Sequence, residues 1–363
     1  MNKQRFCEWI DELKREVPVF VNNMENAEQP GRYRLSWSGD IVPAHIHWGL
    51  AQTTFATRVL LILDTLTNTA RHDLTKYILS FSHRNGLIYD EYVQKVTRYQ
   101  RWFNGIKQRK LDILLNKPNK WAETRQAYAA LINLGSKLNR TFHIIELDKT
   151  SIKKYINRLD WNNPWGAASH VNHLVFFIHF GSTISEGRKQ EFFNYIEQCL
   201  KPFQRDDGGF YLKNSQTRTN QKIGSTMKIL MGISLIGREY NWIQESHIDL
   251  ALDSTHENND ACINFNTIYV LTKALEHTSY RQEEAINFLF RAISVWKKDY
   301  YWKKLGAFSF YKGRATSTYY GAQITRGLSE PDLHGTAMFC WGIYIIAKAL
   351  KIHEECGLRE PVL

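Results

Sequence analysis

The chain has 363 residues, 43% of them hydrophobic and 23% charged, with a formal net charge of +11 and a pI near 9.3. That is material for a well-packed core in one large or two smaller domains, and the charge favours an anionic partner. Five scattered cysteines (Cys7, Cys199, Cys262, Cys340 and Cys356) contain no CxxC pair, which argues against a disulfide framework or a zinc ribbon.

The N-terminus is charged and has no secretory apolar stretch, so a reduced, cytoplasmic setting is the expectation. Lys107-Gln-Arg-Lys110 is too short for a nucleic-acid-binding block and reads as an ordinary helix face. Aromatic residues are plentiful, with 11 Trp, 18 Tyr and 19 Phe. Most belong in a core, and the surplus suggests an aromatic-lined cavity suited to cation–π contact or stacking.

In chain order, residues Lys3 to Phe20 predict an amphipathic helix with Phe6, Ile10, Leu13 and Val17 on one face. Pro30-Gly31 and Ser36-Trp-Ser-Gly39 mark an irregular loop. A long apolar helix is expected from His45 to Leu66, then a more polar one.

That polar helix ends in Tyr77-Ile-Leu-Ser-Phe-Ser-His-Arg-Asn-Gly-Leu-Ile-Tyr89. The outline, a helix stop followed by a polar Gly-bearing turn and an aromatic or aliphatic pin, recurs at Ile156–Gly166, at Cys199–Tyr211 and more loosely at Val295–Phe310.

Small-residue helices follow most of these turns: Glu123–Leu131, Ala168–Phe176, Gly224–Gly232, Asp260–Tyr269 and the helix after Asp332. The last runs to Leu350 with hardly a polar face, so it must be surrounded by protein.

With the His45 helix there are about six apolar helices alternating with about six amphipathic ones, an irregular helical array. The expectation is an all-α chain forming a single (α/α)6 toroid over 1–363, with 1–44 as a leading helix and loop. In such a ring the N-termini of the inner helices share one face, where their dipoles favour anions.

Ionisable residues fall at those helix starts: Glu123, His170, His173, Asp206, Asp207, Asp260, Cys262, Asp332 and His334. Each acid has an ordinary alternative as an N-cap. Asp206 and Asp207 form the best adjacent pair, able to split acid and base roles or simply to sit in a solvated turn. Asp260, Cys262 and His334 offer a mixed donor set for zinc, although Cys262 alone reads equally as a small hydrophobe. No nucleophile elbow, phosphate loop or HExxH pattern is present.

The turn Phe203-Gln-Arg-Asp-Asp-Gly-Gly-Phe210 and its small-residue helices resemble the repeats of the prenyltransferase and squalene/terpene cyclase superfamily. The resemblance is piecemeal and spans most of Ile78 to Leu350. Asp332-Leu-His-Gly-Thr-Ala-Met338 resembles the Asp-x-Asp-Asp-Thr-Ala-Met motif of class II terpene cyclases, with His334 where that motif has its middle acid and Gly335 where it has the next. Asp260-Ala-Cys262 resembles the zinc-binding segment of protein prenyltransferase β subunits.

The resemblance implies an isoprenoid enzyme. Asp332, His334, Asp206, Asp207 and Glu123 are its candidate catalytic groups. Arg125, Arg218, Lys222, His170, Trp165, Tyr269 and Trp341 would bind an anionic, lipid-like substrate, with zinc or magnesium as the metal and a peripheral membrane contact compatible with such a substrate.

The same ring equally suits an intracellular glycan hydrolase or lyase, with Asp207 and Asp332 as acid and base and Trp161, Trp165 or Trp302 stacking on sugars. A non-enzymatic helical-repeat binder is the third reading.

Overall fold

The computed structural model describes residues 2–99, 102–103, 106, 117–136, 144–181, 183–238, 244–254 and 260–362. The basic stretch Lys107–Lys110 lies outside them.

Among the described residues the chain is mostly helical, and apolar and amphipathic helices alternate. α1 (Lys3–Met24), α3 (Asn68–Leu79), α6 (Lys149–Arg158), α8 (Glu186–Leu200), α10 (Gln244–Leu252) and α12 (Gln282–Asp299) are the amphipathic set. α2 (Leu50–Ile62), α5 (Lys117–Asn133), α7 (Pro164–His179), α9 (Thr219–Leu235), α11 (Ala261–Leu275) and α13 (Leu333–Ala349) are the apolar set. A short α4 (Glu91–Val96) precedes α5.

Every residue of α2 is buried. α1 buries Phe6, Trp9, Ile10, Leu13, Val17, Phe20, Val21 and Met24 along one stripe, the pattern its sequence predicts.

The helix expected from His45 to Leu66 is shorter at both ends. Gly49 holds φ +111° and Asp64 φ +56°, left-handed backbone that no α-helix continues through. Two small hairpins also depart from the all-helical reading. β1 (Tyr301–Trp302) pairs with β2 (Ala307–Phe308), and β3 (Thr318–Tyr319) with β4 (Ala322–Gln323), both antiparallel.

One local design recurs four times. An amphipathic helix ends, two residues bridge antiparallel, and a left-handed glycine two residues before the second partner turns the chain. The bridges are Glu25–Tyr33, Ser82–Ile88 and Gln204–Phe210 and Tyr301–Phe308. Their glycines are Gly31 (φ +85°), Gly86 (+83°), Gly208 (+79°) and Gly306 (+65°).

A threonine of the next apolar helix then holds each turn. Thr53 Oγ1 donates to the Gly31 carbonyl at 2.8 Å and Thr226 Oγ1 to the Gly208 carbonyl at 2.9 Å. Thr124 Oγ1 lies 3.1 Å from both the N–H and the carbonyl of Ile88.

Three of the four turns singled out in the sequence belong to this set. The Ile156–Gly166 stretch does not, because Gly166 is already inside α7. The Glu25–Tyr33 turn sits where the sequence reads as an irregular loop.

The chain divides into two compact units. One comprises Met1–Lys137, Glu257–Cys262 and Arg291–Val362, and the other Leu138–His256 and Ile263–Phe290. In the first, α2 packs against both α5 and α13. Gly342 of α13 leaves room for the Trp296 ring. In the second, α7 and α9 form the main packing pair. A side chain at Gly224 of α9 would run into the Trp165 ring of α7, so the two helices approach closely there.

Candidate functional site

In the first unit, four elements bring cations and rings together. α2 supplies Phe55 and Arg58, one helical turn apart and therefore on one face. α13 supplies His334 and Trp341, two turns apart on one face. α5 supplies Arg125 and Gln126, and the β3–β4 hairpin supplies Tyr319 and Tyr320.

Arg58 is only 8% exposed. Its guanidinium carbon lies 4.4 Å from the centroid of the Trp341 ring. Among the described residues no carboxylate forms an ion pair with it and no acceptor forms a hydrogen bond with it. Burial, then the neighbouring charge of Arg125, pulls its pKa down to about 10, so it stays charged at neutral pH. Arg125 is also buried, and burial lowers its pKa. The two buried guanidinium charges repel each other, and the repulsion adds to burial in lowering the Arg58 pKa.

His334 is held between rings. It stacks on Phe55 at 4.5 Å and 5° and meets Phe310 at 4.5 Å and 32°. Burial and the Arg58 charge push its pKa down to about 3, so the imidazole is neutral.

The hairpin adds a strained feature. Tyr320 and Gly321 form a two-residue turn with φ +45° and +83°, the type I′ geometry that Asn-Gly usually occupies. A tyrosine in left-handed backbone costs roughly 1–2 kcal/mol. It sets the Tyr320 hydroxyl 3.3 Å from Gln126 Nε2, next door to Arg125. The neighbouring Tyr319 hydroxyl donates to Gln126 Oε1 at 3.4 Å, and its ring meets Phe55 edge-on at 6.2 Å.

Glu123 lies one residue from Thr124, the threonine that holds the Ile88 turn. It is 2% exposed, and its pKa is raised well above the ordinary value by burial and by Asp90. One oxygen accepts weakly from the Asp90 amide and from Gln94, each at 3.4 Å. The other is buried with no hydrogen-bond partner among the described residues. That is the environment of a neutral carboxylic acid. Asp90 also has a pKa raised by burial, while it binds the amides of Gly49 at 2.7 Å and Tyr92 at 2.9 Å.

Asp332 is placed differently from the substrate-facing acid the sequence suggests. It is fully buried and its oxygens accept from the amides of Gly335 at 2.7 Å, Phe310 at 2.8 Å and Thr316 at 3.1 Å. Burial outweighs these bonds and lifts its pKa to about 7. The carboxyl caps α13 and ties down two loop segments. Gly335 also has a packing reason: a Cβ there would overlap the backbone of Ser309 and Phe310, so the third acid of the cyclase motif has no space.

The proposed metal set is not assembled. Cys262 Sγ and His334 Nε2 are 4.0 Å apart, and Asp260 acts on Tyr311, whose pKa it helps raise after burial. Among the described residues no three His, Cys, Asp or Glu side chains are grouped to hold a metal ion, whereas zinc sites take at least three protein donors.

The second unit holds the other candidates. Asp206 is exposed. Asp207 accepts from Lys222 Nζ at 2.6 Å, Tyr211 Oη at 2.7 Å and the Gly209 amide at 3.0 Å. Burial works against its charge, but these bonds hold its pKa below the ordinary value. The adjacent acids therefore form no acid–base pair. Asp207 is a turn residue that also fixes Lys222.

Arg218 is exposed at the start of α9. His170 Nδ1 is 3.0 Å from the Tyr155 hydroxyl, and the ring lies 6.1 Å from the His173 ring. Tyr269 is buried against Phe265, and Trp165 rests on Gly224.

Comparison with protein-family models, with curated proteins and with solved structures gives no match to this chain. The arrangement in the first unit therefore carries the functional argument.

Of the residues in this region the sequence reading named Arg125, Glu123, His334 and Trp341 and did not name Arg58, Phe55, Tyr319 and Tyr320. The signal for Arg58 was present: it is the one charged residue within Leu50–Ile62. A lone cation in a helix that is buried all round either has a buried partner or awaits one.

Proposed function

We propose that the chain is an isoprenoid-processing enzyme of the prenyltransferase or terpene-cyclase kind, with its alternating helices arranged as an (α/α)6 toroid. In this reading Arg58 and Arg125 receive a diphosphate, and Phe55, Tyr319 and Trp341 flank the apolar chain attached to it. The observation that carries the reading is Arg58, a buried, charged guanidinium lying on an aromatic face without a carboxylate among the described residues.

Planar guanidinium groups fit phosphate oxygens in a forked geometry that lysine cannot match. The helical repeat supports the ring, because each Thr-held turn returns the chain from an amphipathic helix to an apolar one.

The chemistry follows from the charges. Protonation of an alkene needs a strong, substrate-facing acid, whereas His334 is neutral and Asp332 is bound by three amides. Two guanidinium groups suit the opposite route. The allylic carbon–oxygen bond breaks heterolytically, its electron pair leaves with the diphosphate, and the negative charge that develops is met by Arg58 and Arg125. The carbocation left on the chain is stabilised by adjacent ring faces. The glycan reading loses support because Asp207 is ion-paired to Lys222 and Asp332 is spent on backbone.

Titration calorimetry with inorganic pyrophosphate and with geranylgeranyl diphosphate tests the reading. Binding of both, with the prenyl compound tighter, is expected. Arg58→Gln should weaken each by about 10- to 100-fold, the ~1.5–3 kcal/mol of a charged hydrogen bond. Absence of binding, or equal binding by the variant, would overturn it.

A further inference from the structure

The first unit also carries exposed apolar side chains that the arginine site does not use, and what they imply does not depend on that site. Downstream of α4, Val96, Tyr99, Trp102, Phe103 and Ile106 are all exposed, Tyr99 at 86%, Phe103 at 69% and Trp102 at 62%. Isolated exposed apolar side chains are ordinary, but five within eleven residues, two of them bulky neighbours, are not. Residues 95–110 of the sequence carry six Lys or Arg and no Asp or Glu. The chain as a whole is at +11.

Aromatic side chains interleaved with cations suit one environment above others, the boundary between lipid headgroups and acyl chains. α4 itself also borders a groove of about 480 Å³, to which it gives Tyr92 and Lys95 and which His47, Phe81, His83 and Tyr89 help to line. His47 stacks on Phe81 at 4.2 Å and His83 on Tyr89 at 3.8 Å. Among the described lining residues Glu91 is the one acid, and it lies 3.5 Å from Lys95 Nζ. Among the described residues no helix is long and apolar enough to cross a membrane, so attachment here would be peripheral.

We propose that the exposed side chains of Val96, Tyr99, Trp102, Phe103 and Ile106 dock the protein on an anionic phospholipid surface. The rings enter the headgroup–acyl boundary, and the positive charge that the sequence carries over 95–110 is matched by the lipid phosphates. Both terms are needed: the basic charge draws the chain to an anionic leaflet, and the rings hold it there against salt.

The test is co-sedimentation of the full chain with vesicles of phosphatidylcholine alone and of phosphatidylcholine with 30% phosphatidylserine. Strong binding to the anionic vesicles is expected, with at least tenfold weaker binding to the neutral ones and a further weakening at high salt. Trp102→Ser/Phe103→Ser should lose at least tenfold on anionic vesicles. Because both residues are exposed, its melting temperature and circular dichroism should match the wild type. The proposal fails if the wild type stays in the supernatant with anionic vesicles, or if the folded double variant sediments equally well. It also fails if the wild type ignores vesicles and instead binds a single-stranded RNA homopolymer through these residues, which would make them a nucleic-acid platform.

Discussion

Thr336 meets both backbone polar groups of Phe308, its hydroxyl accepting from the Phe308 amide at 3.1 Å and lying 3.2 Å from the Phe308 carbonyl. Phe308 ends β2, Thr336 sits in the first turn of α13, and both are fully buried. Thr124 and Ile88 repeat the relationship at the Ser82–Ile88 turn. A side-chain hydroxyl is here a piece of the backbone ladder, and that is why a β-branched polar residue is found in a helix that is otherwise apolar.

Thr336→Val keeps the shape and removes the acceptor, leaving the Phe308 amide buried and unsatisfied. The expected cost is about 1–3 kcal/mol, read from urea unfolding at neutral pH. Thr336→Ser should recover most of it. Equal stabilities for Val and wild type would mean that water satisfies the amide.

Gly335→Asp, which restores the acid of the cyclase motif, should fail as a gain-of-function change. Any Cβ at 335 overlaps the backbone of Ser309 and Phe310, and backbone cannot swing aside as a side-chain tip can. Even Gly335→Ala should cost on the order of 3 kcal/mol, the upper end of overpacking effects. Thermal unfolding of the alanine variant is the measurement, and an unchanged midpoint would contradict the packing.

The alternation of apolar and amphipathic helices was legible because an all-round apolar segment has no soluble solution except burial. Asp332 was misleading for a different reason. Its partners Phe310 and Thr316 are 22 and 16 residues away, and no local pattern says that three amides will converge on one carboxyl. Tyr320 was hidden likewise, since its meaning lies in the left-handed turn that sets it beside Arg125. The expected ends of α2 were wrong because helix-forming composition continued past Gly49 and Asp64, where only the backbone angles reveal the stop.

His334 predicts an acid sensitivity. Its pKa falls from 6.5 to about 3 on folding. A depressed histidine takes up its proton in the unfolded chain first, so its contribution is intact above about pH 6.5 and is lost as pH falls toward 3. His247, lowered from 6.5 to about 4 by burial, acts in the same direction. His334→Phe keeps a ring between Phe55 and Phe310 and cannot titrate. Between pH 7.5 and 5.0 it should lose up to ~2 kcal/mol less stability than the wild type, at ~1.4 kcal/mol per pH unit below 6.5. Urea midpoints at the two pH values decide it, and parallel losses would show that His334 is already charged in the fold.

Arg58→Met separates stability from function. The guanidinium is buried and repelled by Arg125, and it rests on the Trp341 face with weaker support from Tyr319 and Cys262. Methionine keeps the apolar stem and the ring contact without desolvating a charge. The variant should therefore be at least as stable as the wild type, by roughly 0–4 kcal/mol, the range seen when buried charges are replaced by well-packed apolar groups. Pyrophosphate should then raise the melting temperature of the wild type and leave that of the variant unmoved, because only a ligand that binds the native site shifts unfolding. A variant that is destabilised and still responds to pyrophosphate would make Arg58 a structural residue and move the anion elsewhere. A variant that is stable and silent would fix the anion at Arg58, since a residue kept at a cost to folding is kept for what it binds.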